Sequence, residues 1–159
     1  MRLLVMSDTH GRLDLAERAV KAASGADLVV HLGDMEADGR RLAARLGVEV
    51  TSVRGNCDGD FSEGNYKILD TEGGRILLAH GHREGVKSGL MRLCYRAAEL
   101  GCKAALYGHT HVARVDEAEG LLLVNPGTLG HPRLGGRPSY AVVDATREGI
   151  FASIVYMGD

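Results

Sequence analysis

This chain has few aromatic residues and no excess of positive charge. Tryptophan is absent, and aromatic residues make up only 4% of the sequence. The 19 basic residues are outnumbered by 21 acidic residues, which gives a formal net charge of −2. Proteins that bind nucleic acid without reading its bases depend on basic surface and on aromatic stacking. The composition therefore argues against a nucleic-acid partner.

Cysteine and long apolar runs are also rare. Cys57, Cys94 and Cys102 are an odd number without CxxC spacing, which argues against a disulfide framework. The apolar start of the chain is interrupted at Asp8 and is too short for a signal-peptide core or a membrane span. We therefore expect a cytoplasmic protein without membrane contact.

The length of 159 residues predicts a single domain, residues 1–159, and 45% hydrophobic residues are enough for one substantial core. The sequence leaves open whether the chain forms a homo-oligomer.

The first third of the chain alternates between buried strands and amphipathic helices. Strands are predicted at 3–7, 28–32 and 48–53, and helices at 12–23 and 37–46. This alternation is typical of parallel strands joined by right-handed crossovers. Ligand sites in such sheets form at the carboxyl ends of the strands.

The remainder is rich in hairpins. Its predicted elements are a hairpin of strands 66–70 and 75–80, a helix whose apolar stripe runs from Val86 to Leu100, a strand at 104–107, and hairpins at 113–125 and 139–156. One long irregular loop is predicted from Asn56 to Asn65. Two mixed sheets packed together, with helices outside, satisfy both parts of the chain.

Short polar motifs follow the apolar runs. In chain order they are Asp8-Thr9-His10, Gly33-Asp34, Gly55-Asn56, His80-Gly81-His82 and Gly108-His109-Thr110-His111. Side chains two residues apart on an extended chain point the same way, so an Asp–His or His–His pair can aim two ligands at one point. Carboxylate, imidazole and amide groups suit divalent manganese, iron or zinc. The ordered set predicts a metal-dependent hydrolase.

Each motif also has a simpler explanation when taken alone. Asp34 can cap the following helix, Asn56 can be a turn residue, and His109 with His111 can be an edge-strand pair. His31 lies inside an apolar strand, and we interpret it as a core histidine rather than a ligand. The order of the five motifs favours the metal site.

The set resembles the calcineurin-like metallophosphoesterases, whose pattern is D-x-H, GD, GN, a single His and GH-x-H. The small size and Asn125-Pro126-Gly127-Thr128 are similar to the single-domain phosphodiesterase branch, whose fold the retromer vacuolar-sorting subunit shares. The resemblance implies an α/β fold, a four-layer α/β/β/α sandwich of two mixed sheets flanked by helices. It also implies a site for two divalent metal ions, with manganese preferred over nickel, iron or zinc.

The resemblance further implies how the ligands divide. One metal would be held by Asp8, His10 and His111, the other by Asn56, His80 and His109, with Asp34 bridging. Two such ions, about 3.5–4 Å apart, lower the pKa of a bound water towards ~7, and the hydroxide attacks phosphorus in line. The expected substrate is a small phosphate ester. Asn56, Thr128 and Arg133 are candidate substrate contacts, and His131 is a further candidate near Arg133.

The third motif departs from the pattern of the family. Many members have His after Gly-Asn, where it protonates the leaving group, but this chain has Cys57. A thiol with a reference pKa of ~8.5 is a poor acid for an alkoxide leaving group. His82 is a candidate replacement, and Asp58 is a candidate to orient a water or an imidazole.

Three other functions compete with a phosphodiesterase. A phosphomonoesterase would use the same ligands, and a nuclease of the superfamily would need basic surface that this chain lacks. A non-catalytic interaction module of the retromer type would not need the complete ligand set. Because every ligand of the pattern is present, the sequence favours the enzyme.

Overall fold

The computed structural model describes residues 1–59, 65–133 and 135–158. In chain order the strands are β1 (Arg2–Met6), β2 (Leu28–His31), β3 (Val50–Ser52), β4 (Tyr66–Thr71), β5 (Gly74–Ala79), β6 (Cys102–Tyr107), β7 (Ala113–Ala118), β8 (Leu121–Pro126), β9 (Ser139–Thr146) and β10 (Gly149–Tyr156). The helices are α1 (Leu13–Ala22), α2 (Glu36–Leu46) and α3 (Met91–Glu99). Asn56–Asp58 form a short 3₁₀ helix, and residues 60–64 of the predicted 56–65 loop lie outside the described part.

The strands form two mixed five-stranded sheets. The first has the order β10-β9-β1-β2-β3, in which β1, β2 and β3 are parallel and β9 and β10 are antiparallel additions. The second has the order β4-β5-β6-β8-β7, with β5, β6 and β8 parallel and an antiparallel strand at each edge. The carboxyl ends of the parallel strands carry the polar motifs.

Alternating side chains of the central strands build separate cores on the two faces of each sheet. Leu3 and Val5 pack between the sheets, against Leu78 and Leu106 among others. Leu4 and Met6, which point the opposite way, pack under α1 and α2. Leu77, Ala105 and Leu93 similarly join the second sheet to α3. Burial of each such large side chain contributes roughly 1.5–3 kcal/mol. The predicted four-layer α/β/β/α sandwich is confirmed.

The third helix is shorter than the apolar stripe predicts. It begins at Met91, and the preceding residues form turns that include hydrogen bonds from Val86 N to Gly81 O (3.2 Å) and from Ser88 N to Gly85 O (2.8 Å). Gly85 and Gly89 have φ angles of 65° and 149°, which interrupt a helix. Val86 is still buried, but it packs beside Gly81 from a turn. No helix within the described ranges is long and apolar enough to cross a bilayer.

Candidate metal centre

Five of the predicted ligands have left-handed backbone conformations. Their φ angles are 52° at Asp8, 46° at His10, 53° at Asp34, 67° at His109 and 61° at His111. The prediction that Asp8 with His10, and His109 with His111, converge because they lie on extended chain is therefore wrong. The strands end before these residues, and the chain turns sharply at each ligand. Aspartate and histidine are among the non-glycine residues that tolerate this conformation best.

The first group of potential ligands comes from three loops, which follow β1, β2 and β6. It consists of Asp8, His10, Asp34 and His111, whose ligand atoms all lie within 4.8 Å of one another. Asp8 Oδ1 is 3.0 Å from His111 Nε2. The opposite ring nitrogen of His111, Nδ1, donates to the carbonyl of His131 at 3.0 Å. That bond directs Nε2 of His111 towards the group, as is usual for metal-binding histidines.

The second group shares Asp34 with the first. It consists of Asp34, His80 and His109, and its ligand atoms also lie within 4.8 Å of one another. His80 Nδ1 donates to the carbonyl of Leu32 at 2.6 Å, which leaves Nε2 facing Asp34 Oδ1 at 3.4 Å. Asn56 Oδ1 lies 3.2 Å from the same Nε2. The structure thus brings all seven predicted ligands together, with Asp34 between the two groups.

The electrostatics of these groups suit a bound cation. Burial, followed by His80 and Lys87, lowers the pKa of His109 to about 4, so its imidazole is neutral and able to coordinate at neutral pH. Burial alone would raise the pKa of Asp8, but the hydrogen bond from His111 and nearby charges lower it overall. His10 Nε2 is buried and has no hydrogen-bond partner among the described residues. A buried imidazole nitrogen without a partner, beside two carboxylates, fits a divalent metal.

Residues behind Asp8 fix its orientation. Ser7 Oγ donates to Asp8 Oδ2 at 2.5 Å, and the backbone N–H of His109 donates to the same oxygen at 3.1 Å. Thr128 Oγ1 donates to the backbone carbonyl of Asp8 at 2.8 Å and accepts bonds from Gly130 N and His131 N at 3.1 Å each. Thr128 is only 1% exposed. The prediction that Thr128 contacts the substrate is therefore wrong, because its hydroxyl already forms three hydrogen bonds to the backbone behind the ligands.

Asp58 also has a different position from the predicted one. Its Oδ1 accepts hydrogen bonds from the backbone N–H groups of Met35 (2.9 Å) and Glu36 (2.8 Å) at the start of α2, and its Oδ2 accepts one from Gly55 N (2.7 Å). Both oxygens are therefore engaged by backbone. These contacts indicate that Asp58 joins two ligand loops, those of Asp34 and Asn56, rather than orienting a water.

Cys57 and His82 lie beside the second group. The thiol of Cys57 donates to Asp34 Oδ2 at 3.3 Å, and burial together with Asp34 raises the pKa of this thiol to about 11. The ring of His82 lies 5.3 Å from that of His80 and 6.1 Å from that of His109, measured between centroids. Burial lowers the pKa of His82, and its Nδ1 has no hydrogen-bond partner among the described residues. His82 is thus close enough to face a bound ester, and its role as proton donor stays a prediction.

His131 and Arg133 lie near the first group of potential ligands and its neighbour Thr110. The ring of His131 is 5.0 Å from that of His10, and Arg133 lines a pocket next to Thr110. His31 is fully buried, with Nε2 3.0 Å from Thr9 Oγ1 and Nδ1 accepting from Gly33 N at 3.2 Å. It therefore supports two ligand loops without joining a ligand group.

Asp38 is a supporting residue that sequence reasoning missed. This buried carboxylate of α2 accepts hydrogen bonds from Thr9 Oγ1 and from Gly11 N, both at 2.8 Å. It holds the loop that carries Asp8 and His10. The sequence offered one weak signal, an acidic residue four positions before Leu42 on a helix whose apolar face is buried.

Two glycines allow the ligand loops to approach each other. A Cβ atom at Gly108 would collide with the hydroxyl of Ser7, and one at Gly55 would collide with the carboxylate of Asp34 and lie 2.5 Å from its backbone nitrogen. Neither glycine has a positive φ angle, so it is the lack of space that requires the small residue at both positions.

Replacement of Gly55 by alanine is expected to displace Asp34. The predicted result is a loss of about 100-fold or more in kcat/KM, which is typical of a misplacement near 1 Å, and a loss of about 1–3 kcal/mol in the free energy of unfolding from overpacking. Phosphoesterase assays and urea unfolding measure the two effects. Gly158→Ala is the matched control, since nothing lies within 4 Å of its added Cβ. Unchanged activity in Gly55→Ala would contradict the prediction.

Comparison with known proteins agrees with this geometry. Residues 1–148 match the family model of the calcineurin-like phosphoesterase superfamily domain. YsnB of Bacillus subtilis, named a probable metallophosphoesterase, is 38% identical over 147 residues, which cover 90% of this chain and 83% of YsnB. The phosphodiesterase YfcE of Escherichia coli K12 is 30% identical over 168 residues, which cover 91% of this chain and 88% of YfcE.

Solved structures show the same fold. A predicted phosphoesterase of Streptococcus pneumoniae superposes with a TM-score of 0.75 at 24% identity, covering 98% of this chain and 97% of the other. Zinc-bound Vps29 of Entamoeba histolytica superposes with a TM-score of 0.72 at 19% identity, covering 98% of this chain and 99% of the other. From the family match and the sequence relatives together, the chain belongs to the calcineurin-like phosphoesterase superfamily.

Proposed function

We propose that this protein is a phosphodiesterase that uses two divalent metal ions, with manganese as the preferred metal, to hydrolyse small phosphate diesters. The observation that carries the proposal is the pair of ligand groups joined by Asp34. Relatives named as a metallophosphoesterase and as a phosphodiesterase support the reaction class. A cytoplasmic location belongs to the same proposal and agrees with three free cysteines.

The chain's own residues prepare the site before a substrate arrives. When bound, the two metals supply Lewis acidity and an activated water for attack on phosphorus. His80 and His111 are fixed by the carbonyl groups of Leu32 and His131, so their free nitrogens are already directed inward. Asp34, which belongs to both groups, would contribute to holding both ions, and its negative charge would offset part of the repulsion between them. Preorganised ligands of this kind lower the cost of holding charge in the transition state.

Metal addition and removal test the proposal. Protein stripped of metal and then given Mn²⁺ is expected to hydrolyse bis(p-nitrophenyl) phosphate, to bind two Mn²⁺ per chain, and to lose activity on addition of EDTA. p-Nitrophenyl phosphate and a polynucleotide, assayed in parallel, distinguish a monoesterase and a nuclease. Absence of hydrolysis with Mn²⁺, Ni²⁺, Fe²⁺ and Zn²⁺ alike would contradict the proposal.

A non-catalytic interaction module is the second candidate, because Vps29 shares the fold. In favour of an enzyme, the chain has every ligand of the superfamily pattern and directs them towards common points. The same metal titration separates the candidates, since a pure interaction module would bind metal without turning over any phosphate ester.

A further inference from the structure

A pocket of about 570 Å³ opens next to the metal centre. Thr110, which stands between the ligands His109 and His111, forms part of its wall. The other walls come from the turns before α3, the buried end of β6, β7 and the segment after β8. The volume lies within the range of sites that hold small organic ligands, about 300–1,000 Å³. A molecule bound through phosphate at the metal centre can therefore extend into this pocket.

The pocket is positively charged. Lys87, Arg114 and Arg133 line it, and no acidic side chain does so among the described residues. Arg114 is compensated by Asp116, whose Oδ2 lies 2.5 Å from Arg114 Nε. Lys87 and Arg133 form no ion pair within the described part of the chain, and both are exposed. Among the described residues, these two cations are therefore uncompensated and can contact an anionic ligand.

The pocket also has an apolar surface. Val86, Leu90, Tyr107 and Val112 line it beside the two cations. Val86 and Tyr107 are buried, which fixes that surface in place. Because the hydrogen bonds of Val86 N and Ser88 N fix the backbone on both sides of Lys87, the base of that side chain is held at the rim. A ring with an anionic substituent would match this combination of apolar and cationic surface.

We propose that this pocket binds the non-reacting substituent of the substrate, and that this substituent is a ring that carries a second anionic group, a phosphate or a carboxylate. The reacting phosphate occupies the metal centre, the ring lies against Val86 and Tyr107, and the second anion contacts Lys87 and Arg133. This assignment rests on the proposed function for the position of the reacting phosphate. It defines the substrate class more narrowly than a phosphate diester.

Two matched diesters test the assignment by kinetics. p-Nitrophenyl phenyl phosphate and p-nitrophenyl 4-carboxyphenyl phosphate release the same leaving group and differ only in the second anion. The Mn²⁺-loaded native protein is expected to prefer the carboxylated ester about tenfold in kcat/KM, the effect of about one charge-assisted contact. The preference is a ratio within one protein, so changes in overall rate cancel.

The double variant Lys87→Gln/Arg133→Gln is expected to reduce that preference to about onefold. Arg147→Gln is the matched control, because Arg147 is 86% exposed and lies beyond the far end of β9. The control is expected to keep the native preference. Equal rates for the two esters in the native protein, or an undiminished preference in the double variant, would overturn the assignment.

A binding experiment separates this assignment from the proposed function. In metal-depleted protein the carboxylates of Asp8 and Asp34 repel anions from the centre, so phenyl phosphate added to ¹⁵N-labelled protein should shift the amide signals of Ser88, Thr110 and Val112. The double variant should lose these shifts while its spectrum stays dispersed. Shifts at the pocket without hydrolysis under any metal would refute the phosphodiesterase alone. Absence of the shifts in the native protein would refute the pocket.

Discussion

Asp34→Asn is expected to reduce metal-dependent hydrolysis of bis(p-nitrophenyl) phosphate at least about 1,000-fold, a loss on the scale of removing a principal electrostatic group from an active site. Asp34 is the one residue common to both ligand groups among the described residues. Asparagine preserves the size of the side chain but provides one neutral oxygen in place of two charged ones. The variant should therefore lose the ability to hold two cations close together.

Metal analysis distinguishes this cause from unfolding. We expect the bound metal to fall from two ions per chain to one or fewer, while the urea-unfolding midpoint of the metal-free protein changes little. Asp70→Asn is the control, since Asp70 is an exposed carboxylate paired with Arg75. Arg75 lies at the start of β5, whereas the ligand His80 follows the other end of that strand. Full activity and two bound ions in Asp34→Asn would be incompatible with a bridging role.

Cys57→His is expected to accelerate the hydrolysis of diesters with alkyl leaving groups about 100-fold, the lower end of what a positioned general acid contributes. The thiol of Cys57 is held by Asp34 at 3.3 Å, and burial with that carboxylate raises its pKa to about 11. It therefore transfers a proton poorly at neutral pH. An imidazole in its place would be able to protonate a departing alkoxide. The backbone N–H of residue 57, which donates to Asp34 Oδ1 at 3.0 Å, is retained in the variant.

The dependence of rate on the leaving group measures this effect. A plot of log kcat/KM against leaving-group pKa is expected to be steep for the native protein and shallower for Cys57→His, with almost no change for p-nitrophenol. Cys57→Ser is the control and should reproduce the steep plot. A flat plot for the native protein would reveal an efficient acid already present, for which His82 is the first candidate to test by His82→Gln.

The layered fold and the convergence of the ligands were both accessible from the sequence. Buried runs such as Leu3–Met6 and Leu28–His31 have the length of parallel strands, and Asp8 or Asp34 follows each of them within three residues. Strand ends in such sheets meet at one edge, so residues distant in the chain are brought to one place. Local pattern and topology agree here, which is why the predicted layered fold was confirmed.

The contacts that hold the ligands in place could not be predicted from the sequence. Nothing local to Asp58 indicates that it reaches the start of α2, and nothing local to Thr128 indicates that it braces Asp8. The helical spacing of Val86 was misleading, because glycines on either side of it favour turns while its burial depends on Gly81. These features depend on loop packing between distant segments, which periodicity does not encode.

At five ligand positions, stability and activity make opposite demands on the residue. These positions have left-handed backbone conformations and are Asp8, His10, Asp34, His109 and His111. A non-glycine residue held there sacrifices roughly 1–2 kcal/mol relative to an ordinary helical or extended conformation. A campaign that selected only for heat resistance would therefore favour glycine at His10 or His111 and erase a metal ligand with each gain. Thermostable versions of this protein should be sought in its helices and outer strands, where no such trade-off applies.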